Sequence, residues 1–279
     1  MRDARRTAAG LAALALAVLP AGPVGAGQRA TGVSEAALPS TMASLGDSIT
    51  RGFNACGFFV DCTRRSWSTG DDPGVDSHRL RLGELGAELT VQHNFARDGA
   101  RAQSLAAQAA EAVEAKAQYV TVEIGANDAC RSTEAKMTPV EDFRADVDAG
   151  LAVLAEGSPR VFVASIPDVV RLWETAHGKR LARATWDRLD VCQSVLKNPN
   201  STAKADAARR DRVRERVRAY NAQLQAACEA FAGECAYDGG AVFATRFTLD
   251  EVSRWDWFHP NAEGQRTLAE VTWKAGFRW

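Results

Sequence analysis

The 279-residue chain carries a formal net charge of −1 at pH 7, with 34 Lys and Arg against 35 Asp and Glu. This near-neutral charge offers no general electrostatic attraction to nucleic acid or to an anionic membrane, so neither is expected as a partner. The length suits one large domain with a substantial hydrophobic core.

The first 26 residues have the layout of a secretory signal peptide. Three Arg at positions 2, 5 and 6 precede an apolar run from Ala8 to Leu19, and small residues end the segment at Ala26. We therefore expect cleavage near Ala26 and secretion into the extracellular space, by either the general or the twin-arginine route. The apolar run is too short to span a bilayer and no later stretch is long enough, so no stable membrane insertion is expected.

Residues 27–39 are small and polar, and we interpret them as a flexible leader. Removal of the first 26 residues leaves 253 and changes the formal charge to −3, because that segment carries three Arg and one Asp. Residues 40–279 show no internal repeat and no second domain. We therefore expect a single domain, and we expect it to be a monomer.

Strand-like and helix-like segments alternate along the remaining chain. Short apolar or β-branched runs predict strands at 41–45, 91–95, 119–124 and 160–166. Helical spacing of apolar residues predicts helices at 77–89, 103–117, 140–155, 203–231 and 262–275. This alternation predicts an α/β fold with a mainly parallel central sheet covered by helices on both faces. Ligands bind such sheets at the carboxyl ends of the strands.

Four segments that follow strands or precede the last helix carry polar side chains. They are Gly46-Asp47-Ser48, residues 94–99 (NFARDG), residues 125–128 (GAND) and residues 256–260 (DWFHP). Each has a purely structural interpretation when taken alone: a turn with a helix cap, a loop with a glycine at positive φ, an Asx-turn, and a surface loop.

Taken together, these segments contain a complete set of groups for acyl transfer. Ser48 is a candidate nucleophile, and a serine needs an adjacent base to become reactive. His259 is the candidate base, and Asp256 can orient its ring from the same loop. The backbone N–H groups of Ser48 and Gly99 and the side-chain amide of Asn127 can stabilise the oxyanion of a tetrahedral intermediate.

This ordered set resembles the SGNH hydrolases, also called the GDSL esterase/lipase family, which are named for Ser, Gly, Asn and His in that order. The matching residues are Ser48 in GDS, Gly99 in NFARDGA, Asn127 in GAND and His259 in DWFHP. The motif WSTG at 67–70 and Cys130 after GAND are similar to the phospholipase-B-like branch. The resemblance implies a three-layer α/β/α sandwich of flavodoxin-like type with a shallow open site, and ester hydrolysis without metal or organic cofactor.

The resulting expectation is a secreted serine esterase, lipase or phospholipase that acts on a small-molecule or lipid ester. Two alternatives stay open from the sequence. The first is a carbohydrate O-acetyl esterase, which differs only in substrate. The second is a non-catalytic glycan-binding protein on the same fold, although a protein that only binds has no use for a complete triad.

Six cysteines follow the signal segment, and an even number in an exported chain favours disulfides. Zinc binding is the rival interpretation, but the cysteines lack C-x-x-C spacing and none of the four His is grouped with them, so no metal is expected. Six cysteines allow 15 connectivities. We predict the sequential pairs Cys56–Cys62, Cys130–Cys192 and Cys228–Cys235.

The aromatic residues admit two interpretations. Phe53, Phe58 and Phe59 lie in a long loop just after Ser48, where they can either cover the substrate or pack against the protein. The tryptophans at 67, 173, 186, 255 and 257 can line an acyl site, but packing in the core or at its rim is the simpler expectation for most of them.

Overall fold

The structure is a computed structural model that describes residues 37–279. The expected signal peptide, residues 1–26, and residues 27–36 of the expected leader lie outside this range. The described residues belong to one compact unit, and its first strand begins at Thr41. No helix within residues 37–279 is long and apolar enough to cross a membrane.

The centre of the fold is a parallel sheet in the order β2-β1-β3-β4-β5. Its strands are β1 (Thr41–Gly46), β2 (Val91–Asn94), β3 (Tyr119–Glu123), β4 (Arg160–Val163) and β5 (Cys235–Tyr237). The chain passes from β1 to β2 on one side and then to β3 on the other side of β1. The carboxyl end of β1 is therefore the topological switch point, where flavodoxin-like sheets bind their ligands.

Helices connect the strands and cover both faces of the sheet. The short helices are α1 (Ser48–Arg51), α4 (Ala126–Ala129), α8 (Gln193–Leu196) and α10 (Ala241–Ala244). The longer helices are α2 (His78–Glu84), α3 (Leu105–Glu114), α5 (Val140–Gly157), α6 (Val170–Ala176), α7 (Arg180–Arg188), α9 (Lys204–Glu229) and α11 (Ala262–Ala275). Short 3-10 turns lie at Thr63–Arg65, Ala102–Ser104, Glu134–Lys136 and Leu249–Glu251.

Helices α3, α5 and α9 form the layer on one face of the sheet. Leu105 of α3 packs so closely on Gly150 of α5 that a Cβ added to Gly150 would lie 2.5 Å from Leu105. Phe143 of α5 stacks on Tyr220 of α9, with ring centroids 4.3 Å apart. Because these contacts are fully buried, this layer fixes the strands from one side.

Helices α2 and α11 belong to the layer on the opposite face. His78 of α2 is fully buried and joins the two, with Nδ1 2.8 Å from the Tyr119 hydroxyl of β3 and Nε2 2.8 Å from Thr272 Oγ1 of α11. Burial lowers the pKa of His78 to about 3, so the ring is neutral at physiological pH. This histidine therefore has a structural role.

The sandwich confirms the predicted fold class, and the nine predicted segments all contain an element of the predicted type. Strand β5, the helices α6 to α8 and the short helices α1, α4 and α10 lie outside the predicted segments. The helix predicted at 77–89 ends early, at Glu84, and Gly86 beyond it has φ of +96°. The strand predicted at 160–166 ends at Val163, after which the chain leaves the sheet.

Candidate active site

Ser48 lies two residues after the end of strand β1. Gly46 ends the strand with φ of +145°, and a Cβ at this position would lie 2.1 Å from the Glu123 carbonyl oxygen, so only glycine fits. Asp47 caps α1 by accepting a hydrogen bond from the Ile49 N–H at 2.8 Å. Ser48 is the first residue of α1, where a backbone N–H has no acceptor within the helix. The capping interpretation and the functional interpretation of GDS are therefore compatible.

The structure brings Ser48, His259 and Asp256 into one hydrogen-bonded chain. Ser48 Oγ lies 2.8 Å from His259 Nε2, and His259 Nδ1 lies 2.5 Å from Asp256 Oδ2. An ionised Asp256 can only accept, so Nδ1 carries the ring proton and Nε2 accepts from the Ser48 hydroxyl. This tautomer is the one in which a histidine can remove the proton of a serine.

Four donors surround the Asp256 carboxylate. Its Oδ1 accepts from the backbone N–H groups of Phe258 and His259, at 2.9 and 3.1 Å. Its Oδ2 accepts from the side-chain amide of Asn54, at 2.6 Å, as well as from His259. Burial raises the pKa of Asp256, but the hydrogen bond and charge of His259 and the two backbone N–H groups outweigh it, so the pKa lies below its usual value. Asp256 is therefore held ionised beside the ring.

Gly99 and Asn127 line the same cavity as Ser48 and His259. Gly99 has φ of +70°, a conformation that explains the glycine, and a Cβ there would meet open space. The Asn127 side-chain amide donates to Asp47 Oδ2 at 3.2 Å and to the Ala100 carbonyl at 3.1 Å. Both N–H bonds of this amide are thus engaged within the protein, so one of them must turn from its acceptor to reach an oxyanion.

The cavity above these residues has a volume of about 240 Å³. Its remaining walls are Phe53, Phe59, Asp98, Leu189, Val191, Phe258 and the Cys130–Cys192 pair. A second, largely apolar cavity of about 50 Å³ shares the wall residue Phe258 with the first. Its apolar walls include Ile49, Ala126, Leu172, Phe247, Val252 and Leu268. Phe258 therefore lines both the catalytic cleft and the apolar pocket.

Three acidic groups near Ser48 have raised pKa values. Burial raises the pKa of Asp47 to about 7 against the hydrogen bond from Ile49 N–H. Burial, followed by the hydrogen bond and charge of Asp61, raises the pKa of Asp98 to about 6. Burial, followed by the charges of Asp47 and Asp238, raises the pKa of Glu123 well above its usual value. Raised carboxylate pKa values are common at functional sites.

The six cysteines lie in the three predicted sequential pairs, Cys56–Cys62, Cys130–Cys192 and Cys228–Cys235, with Cα–Cα distances of 5.7, 4.4 and 5.4 Å. The first pair closes the loop after α1, and the second joins the end of α4 to the start of α8. Within residues 37–279, no group of three or more His, Cys, Asp and Glu side chains is arranged to hold a metal ion.

The sequence did not predict three neighbours of the site. Asn54 contacts Asp256 from 202 residues away, and Leu189 and Val191 wall the cavity from the region between α7 and α8. No local motif marks these positions. Of the tryptophans considered above, Trp67 and Trp186 are fully buried in the core, whereas Trp255 is half exposed.

Residues 42–272 match the family model described as GDSL-like Lipase/Acylhydrolase. A solved catalytic mutant of Axe2, an acetylxylan esterase from Geobacillus stearothermophilus, is 16% identical with a TM-score of 0.52, over 86% of this chain and 95% of that chain. A putative GDSL-like lipase from Parabacteroides merdae is 15% identical with a TM-score of 0.51, over 84% and 94% of the two chains. A search among curated proteins gives no match. At these identities the solved structures show a shared fold.

Proposed function

The chain belongs to the GDSL-like lipase/acylhydrolase family of ester hydrolases, and we propose that it is a secreted serine esterase of lipase or phospholipase type that uses Ser48, His259 and Asp256. The observation that carries this proposal is the continuous hydrogen-bonded chain from Ser48 Oγ through the His259 ring to the Asp256 carboxylate. The three disulfide pairs support an oxidising, extracellular location.

In the first half-reaction, Ser48 Oγ attacks the ester carbonyl carbon while His259 Nε2 takes the hydroxyl proton. The Asp256 carboxylate stabilises the imidazolium that forms. The negative charge develops on the former carbonyl oxygen, which the N–H groups of Ser48 and Gly99 and the amide of Asn127 stabilise. The ester C–O bond then breaks, and His259 returns the proton to the departing alcohol.

In the second half-reaction, a water molecule attacks the acyl-Ser48 carbonyl carbon and His259 Nε2 takes its proton. The bond between Ser48 Oγ and the acyl carbon breaks, the carboxylic acid leaves, and His259 returns the proton to Ser48. The net reaction consumes one ester and one water and gives one acid and one alcohol. Every proton transfer passes through His259, so the enzyme requires a neutral ring at the start of each half-reaction.

The apolar pocket that Phe258 lines supports an acyl ester as the substrate class. Its wall surface is largely apolar and comes from five separate parts of the chain, with Asp168, Arg171, Thr175 and Glu251 also among the lining residues, and this surface suits a hydrocarbon better than a polar acetylated sugar. Ile49 and Ala126 of this pocket are the sequence neighbours of Ser48 and Asn127. Two wall residues of the pocket are thus adjacent in sequence to groups proposed to hold the ester.

The test is a pair of serine variants and a chemical label. We expect Ser48→Ala to fold, to retain the melting temperature of the native protein, and to lose hydrolysis of p-nitrophenyl butyrate. An alkyl phosphonate should label the native chain once, on Ser48. The control is Ser132→Ala, which removes an exposed serine and should leave the hydrolysis of p-nitrophenyl butyrate and the labelling of Ser48 unchanged.

Full activity of Ser48→Ala, or a label on another residue, contradicts the proposed nucleophile.

The substrate class is tested separately with p-nitrophenyl esters of increasing chain length, phospholipids and acetylated xylan. Preference for acetylated xylan over every acyl ester would assign a carbohydrate esterase instead. Binding of glycan with no hydrolysis of any ester would assign a non-catalytic glycan-binding protein.

A further inference from the structure

A cluster of large apolar side chains is exposed beside the cleft. It consists of Phe58, Phe59, Val60 and Trp255, which we call the aromatic rim, with exposed fractions of 62, 45, 46 and 50%. Single exposed apolar residues are ordinary on soluble proteins, but a contiguous group marks an interaction surface. The rim comes from two segments that lie almost 200 residues apart in sequence.

The aromatic rim is continuous with the catalytic residues. The Phe58 ring contacts Trp255 and Phe59, with centroid distances of 5.3 and 4.5 Å. Phe59 contacts Phe53 at 5.9 Å, and Phe53 contacts the His259 ring at 5.0 Å. An uninterrupted path of aromatic rings therefore leads from solvent to the proposed base.

The rim is tied to the site by polar contacts. Asn54 Oδ1 accepts from the Phe59 N–H at 2.6 Å, and the Asn54 N–H donates to the Val60 carbonyl at 2.9 Å. The Asn54 backbone carbonyl accepts from Ser253 Oγ at 3.2 Å, and the Asn54 side-chain amide donates to Asp256. The Cys56–Cys62 pair closes the same loop. These contacts make the rim a braced platform and not a hinged lid.

We propose that the aromatic rim docks the enzyme onto the surface of aggregated lipid, so that an ester at that surface enters the cleft. The surface of a micelle or vesicle is apolar beneath its headgroups and carries ester bonds, which matches a rim that leads into an ester-hydrolysing site. The part of this inference that concerns the substrate rests on the proposed function, whereas the docking itself does not.

Two features favour lipid over other occupants of the rim. Sugars stack on flat aromatic faces, but the ring pairs within the rim are inclined at 67 and 64° and form an uneven surface. A second copy of the chain on the rim would cover the mouth of the cavity that Phe59 lines. The inclined rings suit insertion among acyl chains and headgroups, where Trp and Phe commonly reside.

Charge near the rim indicates a neutral or zwitterionic lipid surface. The exposed Arg254 is next to Trp255 in sequence. Asp61 lies at the end of the loop that carries Phe58 to Val60, and its carboxylate is paired with Arg51. Asp98 lies in the cleft that the rim borders. Since these charges are of both signs, we expect docking to depend on apolar insertion and to change little with salt.

The experiment measures co-sedimentation of the Ser48→Ala protein with phosphatidylcholine vesicles, which it cannot consume. In that background, replacing both Phe58 and Trp255 by serine should weaken vesicle binding at least about tenfold, because two half-exposed aromatic rings are lost from the interface. The matched control is Leu85→Ser, which replaces a residue of 52% exposure on the link between α2 and β2. This control should bind vesicles as before, and raising the NaCl concentration to 1 M should not release the protein.

With Ser48 intact, the Phe58→Ser/Trp255→Ser protein should hydrolyse monomeric p-nitrophenyl acetate at the native rate and emulsified ester at a reduced rate. Absence of vesicle binding by the parent, or equal binding by the rim variant, would overturn the proposal. So would a dimer in solution that the rim variant abolishes, or rim-dependent binding to acetylated xylan in place of vesicles. Because binding is scored on inactive protein, failure of docking is distinct from failure of Ser48 as the nucleophile.

Discussion

The side-chain amide of Asn127 donates a hydrogen bond to the carboxylate of Asp47, with Nδ2 3.2 Å from Oδ2. The other oxygen of Asp47 accepts from Ile49 N–H in α1. One buried carboxylate therefore connects the helix that begins with Ser48 to the proposed oxyanion donor. Asp47 acts through these neighbours and is a positioning residue in the proposed mechanism.

Asp47→Asn should lower kcat by about 10²-fold, as expected for a misplacement of about 1 Å at a catalytic group. Asparagine keeps the size of the side chain but puts an NH₂ group against either the Ile49 N–H or the Asn127 amide, and both of these are donors. KM for p-nitrophenyl butyrate should change little. A melting temperature that falls while kcat stays native would mean that Asp47 only caps α1.

Asn127→Ala should lower kcat by roughly 10²–10³-fold, the usual cost of losing one oxyanion donor. KM should move little, because the amide bonds the developing charge better than the ground-state carbonyl. Asn127→Asp should be at least as inactive, since an ionised carboxylate repels the oxyanion. Near-native turnover by the Asp variant would remove Asn127 from the proposed site.

The sequence was sufficient to predict the fold and the catalytic candidates because each has a local signal. Ser48 and Asn127 follow strands that are recognisable as short apolar or β-branched runs, and Gly99 follows the weaker strand signal at 91–95. Parallel strands bring their carboxyl ends to one edge of a sheet. Asp256 and His259 share one loop. The hydrogen-bonded chain among Ser48, His259 and Asp256 thus joins positions that the sequence had already marked.

Asn54 and the aromatic rim could not be predicted in the same way. Asn54 reaches Asp256, and Phe58 meets Trp255, only after chain segments about 200 residues apart have packed. Strand β5 was missed because it has three residues, all only partly buried, and so lacks a continuous apolar run. These features depend on tertiary packing, which periodicity in a short window does not report.

Asp256→Asn should lower kcat by up to about 10⁴-fold, because an amide no longer holds the His259 ring in the productive tautomer. All four contacts to the carboxylate are donors, so an NH₂ group opposes a donor in either orientation. The control is Ser253→Ala, which removes the hydrogen bond to the Asn54 carbonyl but leaves these four contacts. Native kcat in Asp256→Asn across neutral pH would make Asp256 a loop residue only.

The disulfides should contribute unequally to stability. In the chain-entropy treatment, Cys130–Cys192, which spans 62 residues, contributes about 4 kcal/mol, and Cys56–Cys62, which spans six, about 2 kcal/mol. Urea unfolding of the two double-serine variants should therefore show the larger loss for Cys130 and Cys192. Equal losses, or free thiols in the native protein, would contradict the pairing or its entropic origin.

Glu123 should make the protein less stable as the pH rises. Its side chain is 1% exposed, and neither carboxylate oxygen has a hydrogen-bond partner within residues 37–279. Burial, with the charges of Asp47 and Asp238, raises its folded-state pKa well above the usual value. Between the unfolded and folded pKa values the unfolded chain has lost this proton while the folded chain retains it, so the free energy of unfolding falls with increasing pH.

Glu123→Gln should remove this pH dependence because the amide is nearly the same size and never ionises. The stability of the variant relative to the native protein should therefore increase from pH 5 to pH 9, as measured by thermal or urea unfolding at each pH. Glu88→Gln is the control, because it removes an exposed carboxylate and should show no such trend. A constant difference between Glu123→Gln and the native protein across this range would mean that Glu123 ionises as readily in the folded chain as in the unfolded one. A loss of stability in the variant that grows with pH would mean that the buried carboxylate is ionised and stabilised by a contact that glutamine cannot replace.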